Sequence, residues 1–97
     1  MRIDTEEEIF ERKVIGDWCF HSDNKYILIG YPKKSGYLGE PDLWDVTNLP
    51  IKKAGELDDR PLTWTWDGNL EAPTITPSIN VIGIWHGFLT AGKIITV

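Results

Sequence analysis

Short stretches in which apolar and polar residues alternate constrain the fold of this chain more than any other feature. Leu62, Trp64 and Trp66 would share one face of a strand, with the intervening threonines on the other face. Residues 14–21 and 25–31 are rich in β-branched and aromatic residues and are separated by turn-forming residues. The sequence therefore predicts a mainly β (α+β) fold, a small antiparallel β-sandwich or open barrel.

The final third of the chain predicts two further hairpins. Asp67-Gly68 is a two-residue turn sequence, because both residues tolerate positive φ. Residues 74–84 form a strand that Pro77 interrupts, since proline has no N–H to donate to a sheet. Residues 85–89 and 93–97 form the last hairpin.

One helix is predicted, at the N-terminus. Thr5 and Glu8 have the spacing of a capping box, and acidic residues in the first turn suit the positive end of the helix dipole. We expect this helix over residues 5–13, with Gly16 stopping it.

Residues 32–61 are predicted to form a long covering loop, because prolines, glycines and scattered charges interrupt any regular period. At most, a helical turn over residues 41–46 is expected. A connection of this length in a small domain is typical of a functional lid or a disordered insert. Lysines, a hydroxyl and aromatic rings make it a candidate ligand-binding segment, the alternative being an exposed polar turn. The residues concerned are Lys33, Lys34, Ser35, Tyr37 and Trp44.

Composition limits the class of protein. Ninety-seven residues fit a single domain spanning residues 1–97. The net charge of −5 gives no basic face for duplex DNA or RNA. A single cysteine, Cys19, excludes an internal disulfide, and the absence of a signal peptide or long apolar run predicts a cytoplasmic protein without membrane contact. Assembly into a homo-oligomer is left open.

The motifs of the last third resemble those of a known family. The sequence W-x-W-D-G at 64–68 is followed by P-T-x-x-P-S-I at 73–79 and W-H-G-F at 85–88. Over residues 62–97 this pattern resembles a small family of bacteriophage and prophage proteins that is often labelled "ammonia monooxygenase". That label describes a membrane copper enzyme, for which this chain has neither spans nor enough ligands. The resemblance implies a phage origin, which would make the predicted cytoplasm that of the host cell.

A zinc site is the second hypothesis. Cys19 and His21 would lie on one face of a strand, and His86 could join them from a neighbouring strand, with Asp23 or water as a fourth ligand. Relatives carry a second cysteine where this chain has Trp85, which argues against the site. The alternative is a buried free cysteine and hydrogen-bonded histidines.

Ser78 and His86 invite a nucleophile-and-base interpretation. No nucleophile elbow surrounds Ser78, however. Thr74, Thr76 and Ser78 alternate beside Pro77, and we expect them to satisfy backbone groups at a broken strand.

The function predicted from these features is a non-enzymatic, phage-derived binding protein that antagonises host defence. It would sequester a phosphate-bearing small molecule of nucleotide type or occlude a host defence protein, without a cofactor. The surplus of tryptophans predicts either an aromatic platform for a ligand or a Trp-rich core between sheet and loop. The first alternative adds Trp85, together with His86, to the predicted ligand-binding residues. The alternative function is a zinc-binding module or metal-dependent enzyme.

Overall fold

The computed structural model describes all residues from Met1 to Val97. Its elements in chain order are α1 (Glu6–Arg12), β1 (Trp18–His21), β2 (Tyr26–Lys33), β3 (Leu43–Lys53), β4 (Trp64–Trp66), β5 (Ile75–Val81), β6 (Trp85–Thr90) and β7 (Lys93–Thr96). The strands form one curled sheet, a half-barrel, whose strand order is the chain order. The predicted mainly β fold with one short N-terminal helix is confirmed.

Strand β3 connects the two halves of the sheet. Its residues Leu43 to Pro50 pair antiparallel with β2. Its last three residues, Ile51 to Lys53, pair with β4 in the parallel direction. All other neighbouring strands are antiparallel. The parallel pair departs from the expected antiparallel sheet, because the chain between β3 and β4 runs back along the sheet before β4 begins.

The long loop predicted over residues 32–61 is wrong over much of its length. Strand β2 continues through Pro32 to Lys33, and the eleven residues of β3 lie within the segment, where a helical turn was expected over 41–46. The reason is burial, since Leu49 and Ile51 reach the core with one residue between them. In this part of the chain, the connections between strands are limited to residues 34–42, before β3, and 54–63, after it.

The two-residue turn predicted at Asp67-Gly68 is also wrong. Residues 67–74 form a longer connection between β4 and β5, although Gly68 does adopt a positive φ of 84°. The Asp67 carboxylate organises this connection by accepting hydrogen bonds from the amides of Asn69 and Thr74 at 3.0 and 3.2 Å. The hairpin between β6 and β7 is confirmed, with Ala91 and Gly92 at positive φ.

The main core fills the concave side of the half-barrel. It contains Trp18, Ile27, Ile29, Tyr31, Leu49, Ile51, Trp66, Ile75, Ile79, Trp85 and Leu89. Burial of Trp66 confirms the orientation predicted for β4, where Trp64 is half-buried against the same core and Thr65 is exposed. A buried tryptophan removes about 150–250 Å² from water, equivalent to about 4–6 kcal/mol before conformational entropy is subtracted.

Helix α1 covers a smaller cluster on the convex side, formed by Ile3, Ile9, Cys19 and Leu28. Thr5 caps the helix as predicted, with its side chain accepting from the Glu8 amide at 3.2 Å. The helix ends earlier than expected, because Lys13 adopts a left-handed conformation. No helix of the structure has the length and apolarity needed to cross a membrane.

Candidate functional site

Ser78 and His86 meet on the outer face of β5 and β6, the surface of these strands turned away from the core. Ser78 Oγ lies 2.9 Å from His86 Nε2. Ile75 and Ile79 of β5 are buried, so Ser78, which directly precedes Ile79, is turned outward. On β6 every second residue is buried, which turns His86 outward as well. The two side chains are therefore neighbours because adjacent strands present them on one face.

A β-bulge shapes the backbone at Ser78. Ile75 pairs with Leu89 and Ile79 pairs with Gly87, so three residues of β5 lie opposite Phe88 alone. Trp64 supports this segment, since its indole Nε1 donates to the Ser78 carbonyl oxygen at 3.3 Å. Bulges re-aim side chains, and this one places Ser78 diagonally beside His86.

The residues on either side of His86 hold β6 against the core. Trp85 stacks on Tyr31 at 5.5 Å between ring centroids, and its Nε1 donates to Thr96 Oγ1 at 3.0 Å. Gly87 is required at its position, because a Cβ there would lie 2.3 Å from the Trp85 ring and 2.5 Å from the Ile95 carbonyl oxygen. The backbone that carries His86 is thus fixed while its imidazole is exposed.

The hydrogen bonding of His86 defines what the pair can do. For Ser78 to donate its hydroxyl proton to Nε2, the imidazole proton must be on Nδ1. No hydrogen bond is formed at Nδ1. Asn80 lies directly opposite His86 in the β5–β6 ladder, and side chains in such pairs have Cβ atoms about 4.5–5.5 Å apart. This arrangement provides a hydroxyl nucleophile, a base and a neighbouring amide.

A separate concavity of about 1150 Å³ is lined by residues that include Lys25, Ile51, Asp58 and Arg60. Arg60 is its central charged group, donating to the carbonyl oxygens of Lys25 at 2.7 Å and Ile51 at 2.8 Å. It also binds the Asp58 carboxylate and stacks over the Tyr26 ring at 5.2 Å. The guanidinium lowers the pKa of Asp58 through hydrogen bonds, and Asp58 raises the pKa of Arg60 in return.

The residues predicted to bind a ligand are not brought together. Lys34, Ser35 and Tyr37 line a shallow depression of about 310 Å³, where Lys34 lies 3.8 Å from Asp42. Lys33 is exposed at the end of β2. None of the residues predicted to bind a ligand lines the concavity around Arg60.

The aromatic members of the predicted ligand site point elsewhere. Trp44 packs edge-on against Phe10 at 5.9 Å between ring centroids. Trp85 faces the core, whereas its neighbour His86 faces outward. Of the predicted set, only His86 belongs to the site described above.

The proposed zinc ligands do not converge either. No group of three or more His, Cys, Asp or Glu side chains is placed to hold a metal ion. Cys19 lies in the cluster under α1, where burial raises the pKa of its thiol and so disfavours the thiolate that zinc requires. His21 bonds Asn48 Oδ1 at 2.7 Å and Ser22 Oγ at 3.1 Å. Asp23 lies in the turn after His21.

Two polar features of the structure, a candidate reactive pair and a structural network, were not predicted from the sequence. The sequence contains both residues of the Ser78–His86 pair but lacks a nucleophile elbow, the strand-to-helix turn that carries the serine in α/β-hydrolase folds. The available signal was the alternation itself, which turns both residues to the outer face of one hairpin. The Arg60 network had no clear signal, because two of its acceptors are the backbone carbonyl groups of Lys25 and Ile51, which any residue type would supply.

Comparison with known proteins gives one family. The family model described as "Bacterial ubiquitination-like system serine protease (BubE)" matches residues 44–97. No curated protein and no solved structure matches the chain. The matched segment begins in β3 and includes both Ser78 and His86. Because the match covers more than half of the sequence, the chain belongs to the BubE family.

Proposed function

We propose that this protein is a serine peptidase in which Ser78 is the nucleophile and His86 the general base. The observation that carries the proposal is the 2.9 Å contact between Ser78 Oγ and His86 Nε2. Ser78 is only half-buried and His86 is exposed, so water could satisfy both side chains. The fold therefore does not need this hydrogen bond, whereas nucleophilic catalysis does.

The reaction follows from the roles of the two groups. As Ser78 Oγ attacks a substrate carbonyl carbon, its proton passes to His86 Nε2. The tetrahedral intermediate collapses, the C–N bond breaks, and His86 returns the proton to the leaving amine. Water then attacks the acyl-Ser78 ester with His86 again accepting a proton, which releases the carboxylic acid and restores the hydroxyl.

A general base of this kind needs a partner that orients its imidazole, and the oxyanion of the tetrahedral intermediate needs hydrogen-bond donors. We assign the first role to Asn80, a positioning residue whose amide oxygen would accept from His86 Nδ1 after a rotamer change. We assign the oxyanion site to the bulge, where the ladder is interrupted opposite Phe88. Pro77 has no N–H, so the Ser78 amide is the donor nearest the nucleophile by position.

The substrate we propose is a ubiquitin-like protein, or a conjugate of one. Support comes from the family description, which places its serine protease in a bacterial ubiquitination-like system. The site also suits a protein substrate, because the pair lies on an open strand surface and not in the concavity around Arg60.

Covalent labelling tests the nucleophile. A fluorophosphonate probe reacts with an activated serine, forming a bond from Oγ to phosphorus and displacing fluoride. We expect one adduct on Ser78, located by peptide mass spectrometry, and its loss in Ser78→Ala and His86→Ala. Ser35→Ala, which alters a half-buried serine outside the site, is the matched control and should label normally.

Labelling that is absent from the folded wild type, or that persists in Ser78→Ala, would refute the proposal. The hypothesis of a non-enzymatic phage binding protein stays a prediction, and the shallow depression at Lys34, Ser35 and Tyr37 is the surface it would use.

A further inference from the structure

An apolar strip borders the candidate catalytic pair. Phe88 pairs with Ile95 across β6 and β7, and the Val97 amide donates to the His86 carbonyl oxygen at 3.0 Å. Residues paired across strands share a face, so these three apolar side chains lie on the outer face with His86. Their exposed fractions are 37% for Phe88, 51% for Ile95 and 72% for Val97.

The side chains of β7 that contact the core are on its inner face, opposite the apolar strip. Ile94 packs against the main core, and Thr96 Oγ1 accepts from Trp85 Nε1. The strand therefore has its structural contacts on the inner face, and Ile95 contributes none of them. No segment of the described chain covers the strip.

The position of the strip relative to the pair indicates what covers it. Ser78 is on β5, His86 is on β6, and the strip continues from β6 to β7. In the proposed reaction His86 gives its proton to the leaving amine, so the leaving-group side of the substrate must lie over His86. Continuing in that direction, the substrate chain passes from His86 onto Phe88 and Ile95.

Distances fix how far along the substrate this contact occurs. The His86 and Phe88 ring centroids are 6.5 Å apart. An extended peptide advances about 3.3 Å per residue. The side chains that reach the strip therefore belong to the first two residues after the scissile bond.

We propose that the strip of Phe88, Ile95 and Val97 is a specificity subsite for an apolar side chain within two residues after the scissile bond. This inference rests on the proposed peptidase function and adds the chemistry of the substrate. The side chains of Phe88, Ile95 and Val97 carry neither a charge nor a hydrogen-bonding group, so an acidic or basic substrate side chain placed over them would lose hydration without gaining a partner from the strip.

A randomised mixture of internally quenched peptides tests the subsite, with cut sites read by mass spectrometry. The wild type should enrich Leu, Ile, Val and Phe over Asp and Lys in the two positions after the cut, by at least about fivefold. Ile95→Thr keeps a β-branched residue on the strand and should abolish most of that enrichment. Ile95→Glu should shift the selection toward Lys and Arg.

Two controls separate this inference from the function on which it rests. Ile82→Thr changes an isoleucine that is 86% exposed in the turn before β6, away from the strip, and should keep the wild-type preference. Hydrolysis of p-nitrophenyl acetate, which offers no residue after the scissile bond, should be unchanged in Ile95→Thr. If the wild type hydrolyses p-nitrophenyl acetate but shows no apolar preference in peptides, or a preference that Ile95→Thr leaves unchanged, the proposed subsite is refuted. If the wild type hydrolyses neither, the peptidase function fails as well.

Discussion

The concavity around Arg60 and the outer face around Ser78 use polar groups in opposite ways. Arg60 donates hydrogen bonds to the Asp58 carboxylate and to the carbonyl oxygens of Lys25 and Ile51. Its guanidinium also lies over the Tyr26 ring. His86 makes one side-chain hydrogen bond, to a hydroxyl, and is exposed. The Arg60 guanidinium is thus already paired, whereas the side chains of Ser78 and His86 on the open surface bond to each other.

The two histidines differ in the same way. Both ring nitrogens of His21 have partners. Nε2 is hydrogen-bonded to Asn48 Oδ1, and Nδ1 lies 3.0 Å from Glu6 Oε1. His86 uses only Nε2. Arg60 lines the more voluminous concavity, but its hydrogen bonds are already made within the protein, which is typical of a structural network. His86 has one hydrogen bond and a free ring nitrogen, as a reactive group requires.

The largest expected effect comes from His86→Ala. It should lower the peptidase kcat/KM by at least about 10³-fold, because removing a member of a nucleophile–base pair removes activation of the serine. The melting temperature should stay near that of the wild type, since the imidazole is exposed. His21→Ala is the matched control and should retain activity per folded molecule. Equal loss in both variants would undo the distinction between the two histidines.

Arg60→Ala should lower the stability of the fold and leave turnover unchanged, the opposite of His86→Ala. Removing the guanidinium leaves the Asp58 carboxylate and two carbonyl oxygens without their donor, so the melting temperature should fall by several degrees. The kcat/KM of the remaining folded protein should be unchanged. Lys25→Ala, which removes an exposed cation beside the same concavity, should change neither value. Loss of turnover in folded Arg60→Ala would show that the concavity serves the reaction.

Acid should erase the stabilising effect of Arg60. Because Arg60 holds the pKa of Asp58 well below its usual range, the folded state favours the carboxylate. That contribution is complete above the unfolded-state pKa of about 3.9 and is lost as pH falls below it toward the folded-state value. The difference in melting temperature between the wild type and Arg60→Ala should therefore be constant near neutrality and narrow below about pH 4. A difference that grows on acidification would contradict the assignment.

Asn80→Ala should have a smaller effect on turnover. A positioning residue acts through His86, so we expect about a tenfold decrease in kcat with little change in KM, equal to about 1.4 kcal/mol. Asn80→Asp should recover much of the rate, because a carboxylate also accepts from Nδ1, and should alter the pH profile. Thr90→Ala changes another exposed residue of the hairpin and is the control. An unchanged rate and pH profile in Asn80→Ala would remove Asn80 from the proposal.

The smallest effect is expected from the double variant Lys33→Ala with Lys34→Ala. Lys34 is exposed and its carboxylate partner is 3.8 Å away, so the melting temperature should hardly change. Calorimetric titration with phosphate-bearing nucleotides compares the wild type with this variant. Weaker binding by the variant would support the predicted ligand segment, and a large loss of stability would contradict it.

The sequence predicted those parts of the fold that depend on local pattern. Alternation placed Trp66 in the core, Thr5 capped the helix, and the last hairpin formed where Ala91 and Gly92 permit positive φ. Strand β3 was missed because its pattern is interrupted by polar residues and by Pro50, and its strand conformation depends on pairing with β2. Local preference was overridden there by a partner distant in sequence.

The candidate site was only partly predictable for a related reason. Each of Ser78 and His86 could be assigned an outward orientation from its own strand. Their contact depends on a bulge that shifts the pairing between Ile75 and Ile79, and a bulge has no reliable sequence signal. The Arg60 network was less predictable still, because backbone carbonyl groups carry no sequence signature.

The identity of strand order and chain order has a consequence for how the protein folds. Each strand pairs with the next along the chain, so no strand pairing has to pass over another strand. Low contact order is associated with fast folding, and this chain should fold faster than β-sandwiches whose strands exchange partners across the sequence. The curl is closed by distant contacts, such as the Trp18 Nε1 bond to the Gly92 carbonyl oxygen across 74 residues. The two ends of the sheet should therefore join last, after the hairpin that carries Ser78 and His86 has formed.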